Sequence, residues 1–297
     1  MNDRFEGKKN PMVSVVMPTY QHVGYIEQCL RSVLTQNTSF QVEILLGEDE
    51  SSDGTREICQ RFAVEYPERI RLFLWSRKDM VRIMGKPTGR ANLMGLLKET
   101  KGKYVAICEG DDYWTDPLKL QKQVDFLEAH PDHSMCFHRA MLLKPSGLEE
   151  HAIPDDVDHN NVRYDDLLRT SNFIATASVV YRRSNEPLPT WFWKLPFLDK
   201  GLYLYLSGQG KFKCLPEFMS VYRITATGAW STLSLMQQQK SYLRFYSVIG
   251  PYLTPVQKEI VESKRKQALK KLAETRYPGN SVMQKLFITY LRFTEPL

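Results

Sequence analysis

The sequence predicts an α/β fold in which a mainly parallel sheet is covered by helices. Short apolar, β-branched runs alternate with stretches that carry apolar residues at helical spacing through the first half of the chain. Polar and acidic clusters directly follow three of these runs, and ligands of parallel α/β sheets bind at such strand ends. The 297 residues, 42% hydrophobic and 25% charged, supply a sizeable core and exclude a disordered or collagen-like protein.

The elements follow in order along the chain. Strands are predicted at 13–17, 42–46, 70–75 and 104–108, and helices at 24–34, 53–66, 89–100 and 116–130. Asp116 is predicted as the N-cap of the last of these helices, with Pro117 at its first position. The second half is less regular, with strands predicted at 173–181 and 220–223 and a helix at 199–207. From about residue 232 the pattern is helical, in segments divided near 251–255 and 278–279.

Charge and cysteine usage exclude several functions. Residues 250–297 carry nine Lys or Arg against four Glu, so most of the net charge of +6 lies in that segment. A nucleic-acid binder more often spreads basic residues over its main fold, so no nucleic-acid partner is expected. The five scattered cysteines form no C-x-x-C pair, which favours a reducing compartment over disulfides or a thiolate zinc site. No apolar run is long enough to span a bilayer, and the polar residues 1–11 do not resemble a secretory leader.

The acidic cluster Glu109-Gly-Asp-Asp112 comes directly after an apolar strand. Three carboxylates in four positions repel one another unless a cation lies between them. Mg²⁺ or Mn²⁺ takes such oxygen ligands and keeps positions open for a substrate's phosphates. The alternative is a solvated acidic turn, but its place among polar strand ends favours the metal site.

Two further strand ends carry polar or aromatic groups. Asp49, just past the second strand, is placed to accept a hydrogen bond from a nucleobase N–H, whereas Ser52, Asp53 and Thr55 read as helix-capping residues. Tyr20 offers an aromatic face for stacking on a base, with simple core packing as the alternative. Arg90, at a helix start, is predicted to meet a phosphate or to form a surface salt bridge.

Taken together, these motifs resemble one family. Ser14-Val-Val-Met-Pro-Thr-Tyr20, Glu48-Asp-x-Ser-Ser-Asp-Gly-Thr55, Gly89-Arg-Ala-Asn92 and Glu109-Gly-Asp-Asp-Tyr-Trp-x-Asp-Pro117 occur in the order typical of the inverting nucleotide-sugar glycosyltransferases of family 2. The resemblance implies the GT-A fold, a Rossmann-like mixed sheet flanked by helices. It also implies an enzyme that takes a nucleotide-sugar donor, most simply a UDP-sugar, and a glycan or lipid-linked acceptor.

The resemblance also implies roles for individual residues. Tyr20 and Asp49 would hold the nucleoside, with Pro18 and Thr19 lining it. Arg90 and Asn92 would lie near the ribose and phosphates. Glu109, Asp111 and Asp112 would provide the metal ligands, with Asp111 foremost, because Glu replaces the first Asp of the family's D-x-D motif.

The family also places a carboxylate base in the second half of the chain. Asp199 fits that position, with a helix-capping role as the alternative and Asp165 and Asp166 as rivals. The resemblance also implies that Arg223, in Tyr222-Arg-Ile-Thr225, helps to bind the nucleotide-sugar. Thr225 stands where relatives often carry a histidine, so no metal-binding histidine is expected.

The predicted organisation is a tail at 1–11, a catalytic domain at 12–231 and a basic helical extension at 232–297. The nucleotide-binding half ends near 115 and the acceptor half runs from 116. The basic helices either pack with a solvated face or lie on an anionic membrane, so the protein is expected in the cytoplasm or peripheral to the membrane. The alternative functions are a metal-dependent nucleotidyltransferase or phosphohydrolase, and a non-catalytic nucleotide-sugar-binding module.

Overall fold

The computed structural model describes residues 10–83, 86–170, 172–184, 186–225, 228, 230 and 232–294. Most of the predicted tail at 1–11, and Ser231 at the predicted domain boundary, lie outside the described residues. The chain separates into two compact units. The first contains residues 1–162, 173–185 and 209–224, and the second contains residues 163–172, 186–208 and 225–297. The domain boundaries predicted from the sequence stay a prediction.

The first unit is built on one mixed sheet. Its strands are β1 (Val13–Thr19), β2 (Val42–Glu48), β3 (Ile70–Leu74), β4 (Arg82–Ile83), β5 (Lys86–Pro87), β6 (Tyr104–Ile107), β7 (Tyr113–Trp114), β8 (His133–Lys144), β9 (Gly147–Glu150), β10 (Val180–Arg182) and β11 (Lys211–Arg223). In the described part of the chain the main sheet has the order β3-β2-β1-β6-β10-β8-β11-β7, with β9 paired to β8 and a separate β4–β5 hairpin.

The parallel half of the sheet is the part that the sequence predicts. β3, β2, β1 and β6 run parallel in register, so their carboxyl ends share one edge. The sheet is mixed, as predicted, but the antiparallel strand β10 lies inside it, between β6 and β8. Of the strand predicted at 173–181 only the last two residues form a strand, as the start of β10 (Val180–Arg182). The strand predicted at 220–223 is the end of the longer β11.

Helices α1 (Ile26–Leu34), α2 (Thr55–Glu65), α3 (Arg90–Lys98) and α4 (Lys119–Ala129) pack on this sheet. α1 buries Ile26, Cys29, Leu30 and Val33, the one-sided spacing that the sequence shows. α4 begins later than predicted. Its N-cap is Leu118, and Asp116 instead accepts a 2.7 Å hydrogen bond from the Leu118 N–H in the turn before it.

The second unit is helical in its described part. It contains α5 (Tyr164–Arg169), α6 (Asp199–Ser207), α7 (Leu235–Ile249), α8 (Pro255–Arg276) and α9 (Ser281–Thr294). The last three helices are divided where the prolines and glycine predict. Ser234 and Thr254 cap α7 and α8, each in a reciprocal hydrogen-bond pair with a Gln side chain three residues on. No helix among the described residues has the length and apolar character needed to cross a bilayer.

Candidate functional site

The carboxyl ends of β1, β2 and β6 are tied together by main-chain hydrogen bonds. The carbonyl of Thr19 accepts from the Asp49 N–H at 3.2 Å, and the carbonyl of Pro18 accepts from the Gly110 N–H at 3.0 Å. The end of β1 therefore holds the turns that follow the two neighbouring strands. This places Tyr20, Asp49 and Asp111, three of the residues that the sequence singles out, on one edge of the first unit.

Asp49 and Tyr20 both contact Arg77, a residue that the sequence analysis did not predict as part of the site. Nη1 of Arg77 donates to Oδ2 of Asp49 at 2.7 Å, and the guanidinium carbon lies 3.8 Å from the centre of the Tyr20 ring. Burial raises the pKa of Asp49, and the nearby guanidinium opposes that rise. Arg77 lies in a short 3-10 turn beyond the third parallel strand, so its place at a strand end was the signal that could have found it.

His22 links the first loop to the acidic turn. Its Nδ1 lies 3.2 Å from the Thr19 hydroxyl and its Nε2 lies 3.7 Å from Oδ2 of Asp111. Its main-chain N–H donates to the hydroxyl of Thr55 at 2.8 Å. Burial lowers the pKa of His22, while the carboxylate of Asp111 opposes that change. The sequence offered no signal for this residue, because its partners come from two other strand ends.

The acidic turn fits closely under this loop. A Cβ at Gly110 would lie 2.4 Å from the Thr19 hydroxyl oxygen and 2.9 Å from Nδ1 of His22, so only glycine lets the turn approach this near. The Asp112 N–H donates back to the Glu109 carbonyl at 2.9 Å, which closes the turn. The side chain of Asp111 keeps 14% of its surface exposed at this edge.

Asp112 has a different environment from Asp111. It is fully buried, and its Oδ1 accepts from the Arg223 N–H at 2.9 Å. Burial, together with the charges of Asp111 and Glu109, raises the pKa of Asp112 well above its ordinary value. The structure thus gives Asp112 a main-chain anchoring contact, and its predicted contact with a metal stays a prediction.

The side chain of Arg223 connects β11 to the acidic turn. Its guanidinium donates to the main-chain carbonyl of Asp111 and to the Gln28 side chain. It also lies over the rings of Tyr25 and Tyr113, at 5.0 and 4.6 Å from their centres. Its predicted role in binding the nucleotide-sugar stays a prediction, but the described contacts already hold the turn in position.

The capping positions predicted for Ser52, Asp53 and Thr55 are wrong, because Gly54, in the left-handed region, is the N-cap of α2 and Thr55 is its first residue. Asp53 accepts from the main-chain N–H of Thr55 at 3.0 Å and from that of Val23 at 3.0 Å. Glu48, which the sequence grouped with them, is fully buried and forms an ion pair with Arg56. These carboxylates are engaged in holding the loops and the start of α2.

Arg90 and Asn92, on the first turn of α3, are both buried. Nδ2 of Asn92 donates to the Gly47 carbonyl of β2 at 2.8 Å, and its Oδ1 is a buried atom without a hydrogen-bond partner in the described part of the chain. A Cβ at Gly47 would lie 1.9 Å from that Oδ1 atom, so the glycine admits the amide. The predicted contacts of both residues with a ribose or phosphate stay predictions.

The donor set at this edge suits a hard divalent cation. Among the residues described, no three His, Cys, Asp or Glu side chains are grouped as a ready metal site. Mg²⁺ is commonly held by one or two carboxylates together with substrate phosphates, so a closed protein cage is not required. Asp111, with Glu109 on the same turn, provides such carboxylates. Oδ2 of Asp112, buried and without a hydrogen-bond partner in the described structure, adds a third oxygen to the turn.

Asp199 lies in the second unit, as the first residue of α6. The N-cap position belongs to Leu198, so the helix-capping alternative for Asp199 does not describe this helix start. Nδ2 of Asn172 donates to Oδ2 of Asp199. Burial raises the pKa of Asp199, and the charge of Lys200 and the Asn172 hydrogen bond oppose the rise. Asp165 and Asp166, the alternative candidates for the base, lie on α5. Asp166 caps that helix, because its side chain accepts a hydrogen bond from the Arg163 N–H.

A cavity of about 640 Å³ opens at the opposite end of the sheet. Its lining comes from the residues before β1 and β2 and from the amino end of β6, and includes Pro11, Phe40, Lys101 and Lys103. Seven-residue strands separate it from the acidic turn by about 20 Å, so it is not part of the candidate site.

The fold matches that of solved glycosyltransferases. Staphylococcus aureus TarS 1–349, solved in complex with UDP-GlcNAc, aligns over 94% of this chain and 79% of its own, with a TM-score of 0.62 and 17% identity. The mannosyltransferase PcManGT of Pyrobaculum calidifontis, solved with GDP-Man and Mn²⁺, covers 97% of this chain and 81% of its own, with a TM-score of 0.58 and 17% identity. The first unit therefore carries the GT-A fold, as the sequence resemblance implies.

The sequence comparisons give the family. The profile of Glycosyl transferase family 2 matches residues 14–184, more than half of the chain. Uncharacterised proteins of Mycobacterium tuberculosis and Mycobacterium bovis are 36% identical over 220 residues, or 73% of this chain, which spans only 60% of their length. The putative teichuronic acid biosynthesis glycosyltransferase TuaG of Bacillus subtilis is 28% identical over 232 residues, 74% of this chain and 83% of its own. The chain belongs to glycosyltransferase family 2, which confirms the resemblance.

Proposed function

We propose that the protein is an inverting, divalent-metal-dependent glycosyltransferase that moves a sugar from a nucleotide-diphosphate sugar to an acceptor hydroxyl. The observation that carries the proposal is the meeting of Tyr20, Asp49, Arg77 and Asp111 at one edge of the parallel strands. An aromatic face, a buried carboxylate, a guanidinium and a metal-binding carboxylate are together what a nucleoside diphosphate requires.

The nucleoside end of the donor is assigned to the end of β1 and β2. Asp49 accepts a hydrogen bond from a base N–H, and Tyr20 provides a ring face for stacking. Arg77 contacts both residues, so it orients the carboxylate and the ring at the nucleoside end. Pro18 and Thr19 line the nucleoside. Arg90 and Asn92 lie near the ribose and phosphates.

The diphosphate end is assigned to the acidic turn. Asp111, assisted by Glu109, would hold Mg²⁺ or Mn²⁺, which when bound offsets the charge that develops on the leaving diphosphate. Asp112 and Arg223 act on the turn itself, because the buried carboxylate fixes the main chain of β11 and the guanidinium fixes the Asp111 carbonyl. The chain therefore supplies partly exposed carboxylates on the turn, Asp111 and Glu109, and a rigid support behind them.

Asp199 is assigned as the general base. It accepts the proton of the acceptor hydroxyl while that oxygen attacks the anomeric carbon, and the bond from that carbon to the diphosphate oxygen breaks on the opposite face. The nucleoside diphosphate leaves with the bonding electron pair and the anomeric configuration inverts. Burial raises the pKa of Asp199, which makes its carboxylate a better proton acceptor, and Asn172 orients it.

The comparisons support the donor and acceptor classes. TarS was solved with UDP-GlcNAc and PcManGT with GDP-Man, both nucleoside-diphosphate sugars, and we place a UDP-sugar first. The name of TuaG, teichuronic acid biosynthesis, supports a glycan or lipid-linked acceptor of the cell envelope. The five cysteines are buried free thiols, which supports a reducing compartment such as the cytoplasm.

Product analysis with two carboxamide variants tests the proposal. Asp111→Asn should abolish transfer and the metal dependence of donor binding, whereas Asp199→Asn should abolish transfer and leave donor binding intact. The wild type should yield the free nucleoside diphosphate and a glycosylated acceptor in which the anomeric carbon of the transferred sugar has the configuration opposite to that in the donor. Pyrophosphate or phosphate as product would indicate a nucleotidyltransferase or phosphohydrolase, and an unconsumed donor beside an effective acceptor would indicate a binding module. Unchanged turnover in Asp199→Asn would remove that residue from the mechanism.

A further inference from the structure

Helix α9 presents a row of apolar side chains to solvent. Val282, Leu286 and Tyr290, at i, i+4 and i+8, are 66, 60 and 62% exposed, and Met283 beside them is also exposed. Residues at this spacing lie on one face of a helix, one above the other. A row of large apolar side chains on one exposed helix face indicates an interaction surface, whereas scattered single ones do not.

The opposite face of α9 already has its packing partners. Leu291 is buried in a core with Leu243, Leu269 and Leu272, and Phe287 packs against the same core. The outward row is therefore not needed for folding the second unit. On α8, Val261, Leu269 and Leu272 are buried and Val256 is exposed, so the exposed apolar row belongs to α9.

The exposed charged residues of the last two helices are mostly basic. Among the described residues of α8 and α9, exposed Lys and Arg outnumber exposed Asp and Glu by six to two. The exposed basic residues are Lys258, Lys266, Lys270, Lys271, Arg276 and Lys285, and the exposed acidic residues are Glu259 and Glu274. Lys285 stands on α9 itself, one turn after Val282, so a positive charge borders the apolar row.

We propose that the outward row of α9 docks on an anionic lipid surface, with its apolar side chains in the interface and the basic residues facing the lipid phosphates. Such a helix lies in the plane of the membrane, which agrees with the finding that no described helix can cross a bilayer. Anionic lipid attracts basic side chains near its surface, and the attraction weakens as salt is added. The proposal does not depend on the chemistry assigned to Asp111 and Asp199.

A second copy of the chain fits this surface poorly. Two copies of the same face would bring like charges together, and like charges across an interface disfavour association. A row of four side chains is also small beside the 20–30 residues that each partner of a stable protein interface typically contributes. A bilayer has neither limitation, because its charge is opposite and its contact area is not fixed.

Vesicle binding of the full chain tests the proposal. We expect co-sedimentation with vesicles that contain phosphatidylglycerol, little with pure phosphatidylcholine, and release by added salt. The paired variant Val282→Gln/Leu286→Gln should bind roughly ten-fold or more weakly, because the apolar contact is removed. Lys285→Glu should weaken binding to the anionic vesicles alone. Val64→Gln, on α2, is the matched control, since Val64 is 81% exposed in the first unit, and it should bind as the wild type does.

Three results would overturn the proposal. The wild type could stay in the supernatant with anionic vesicles, or the paired variant could bind as tightly as the wild type. Sedimentation velocity could instead show a dimer that the paired variant dissociates, which would make a second copy the occupant. Transfer to a water-soluble acceptor should be unchanged in all three variants, so a failure of the proposed chemistry is distinguished from a failure of membrane docking.

Discussion

Removal of the guanidinium that faces Asp49 should destabilise the first unit, and removal of the carboxylate should not. Arg77→Met leaves the buried Asp49 carboxylate without its 2.7 Å ion-pair partner. Asp49→Asn removes the charge and keeps the shape and an acceptor oxygen for Arg77. The raised pKa of Asp49 shows that its folded environment favours the neutral form, so the amide should be at least as stable as the ionised acid at neutral pH.

The magnitude follows from burial. Removing one partner of a fully buried ion pair costs about 3–5 kcal/mol, and the partial exposure of Arg77 reduces this to about 2 kcal/mol. At about 2–4 °C per kcal/mol, the melting temperature should fall by about 4–8 °C. In the Asp49→Asn background the same Arg77→Met change should cost under about 1 kcal/mol, because no uncompensated charge remains. Nucleotide affinity should fall roughly ten- to hundred-fold in Asp49→Asn, as expected for loss of a charge-assisted hydrogen bond.

Thermal and denaturant unfolding of the wild type, the two single variants and the double variant measure the coupling between Arg77 and Asp49. Equilibrium binding of UDP and GDP measures the nucleotide affinity.

The pH dependence of the stability lost in Arg77→Met has a definite sign. The folded state favours the protonated form of a carboxyl group whose pKa it raises. The contribution of that group to the free energy of unfolding is therefore lost as the pH rises through the raised pKa. The deficit of Arg77→Met relative to wild type should therefore shrink as the pH is lowered. An equal loss of stability with and without the Asp49 charge would refute the reasoning.

Two other substitutions test the interior of the first unit. Burial lowers the pKa of Lys119 to about 7 from an ordinary value of 10.5. The free energy of unfolding of the wild type should therefore rise with pH between these two values. Denaturant titrations at several pH values should show a weaker pH dependence of that free energy in Lys119→Met. Gly47→Ala places a Cβ 1.9 Å from Oδ1 of Asn92 and should cost about 2 kcal/mol through overpacking. A Cβ at Gly24 would have no neighbouring atom within 4 Å, so Gly24→Ala should be close to neutral in the same unfolding assay.

Local pattern was enough to predict the parallel half of the sheet. β1, β2, β3 and β6 are short apolar runs, each bounded by turn residues, and their helices carry apolar residues on one side. Because parallel strands end at the same edge, the pattern also predicted where polar groups such as Asp49 and Asp111 would gather. These features depend on neighbouring residues in the chain, which a sequence displays directly.

The rest required the tertiary structure, because it depends on pairings between distant parts of the chain. β8 and β11 pair in parallel although about 80 residues separate their register partners, and no local pattern in the sequence indicates such a pairing. The sequence placed Asp111 first among the predicted metal ligands and kept Asp112 beside it as another. Only the arrival of the Arg223 N–H from β11 shows that Asp112 is an interior anchor, while Asp111 remains accessible.

The same division holds for charge and apolar surface. The sequence by itself determined that the C-terminal segment is basic and helical, since composition and periodicity do not depend on folding. It did not determine which apolar residues face outward, because that depends on which helix faces pack against one another in the core. Packing of α7 against α8 buries Leu269 and Leu272, and α9 contributes Leu291 to the same core while leaving Val282 and Leu286 at the surface.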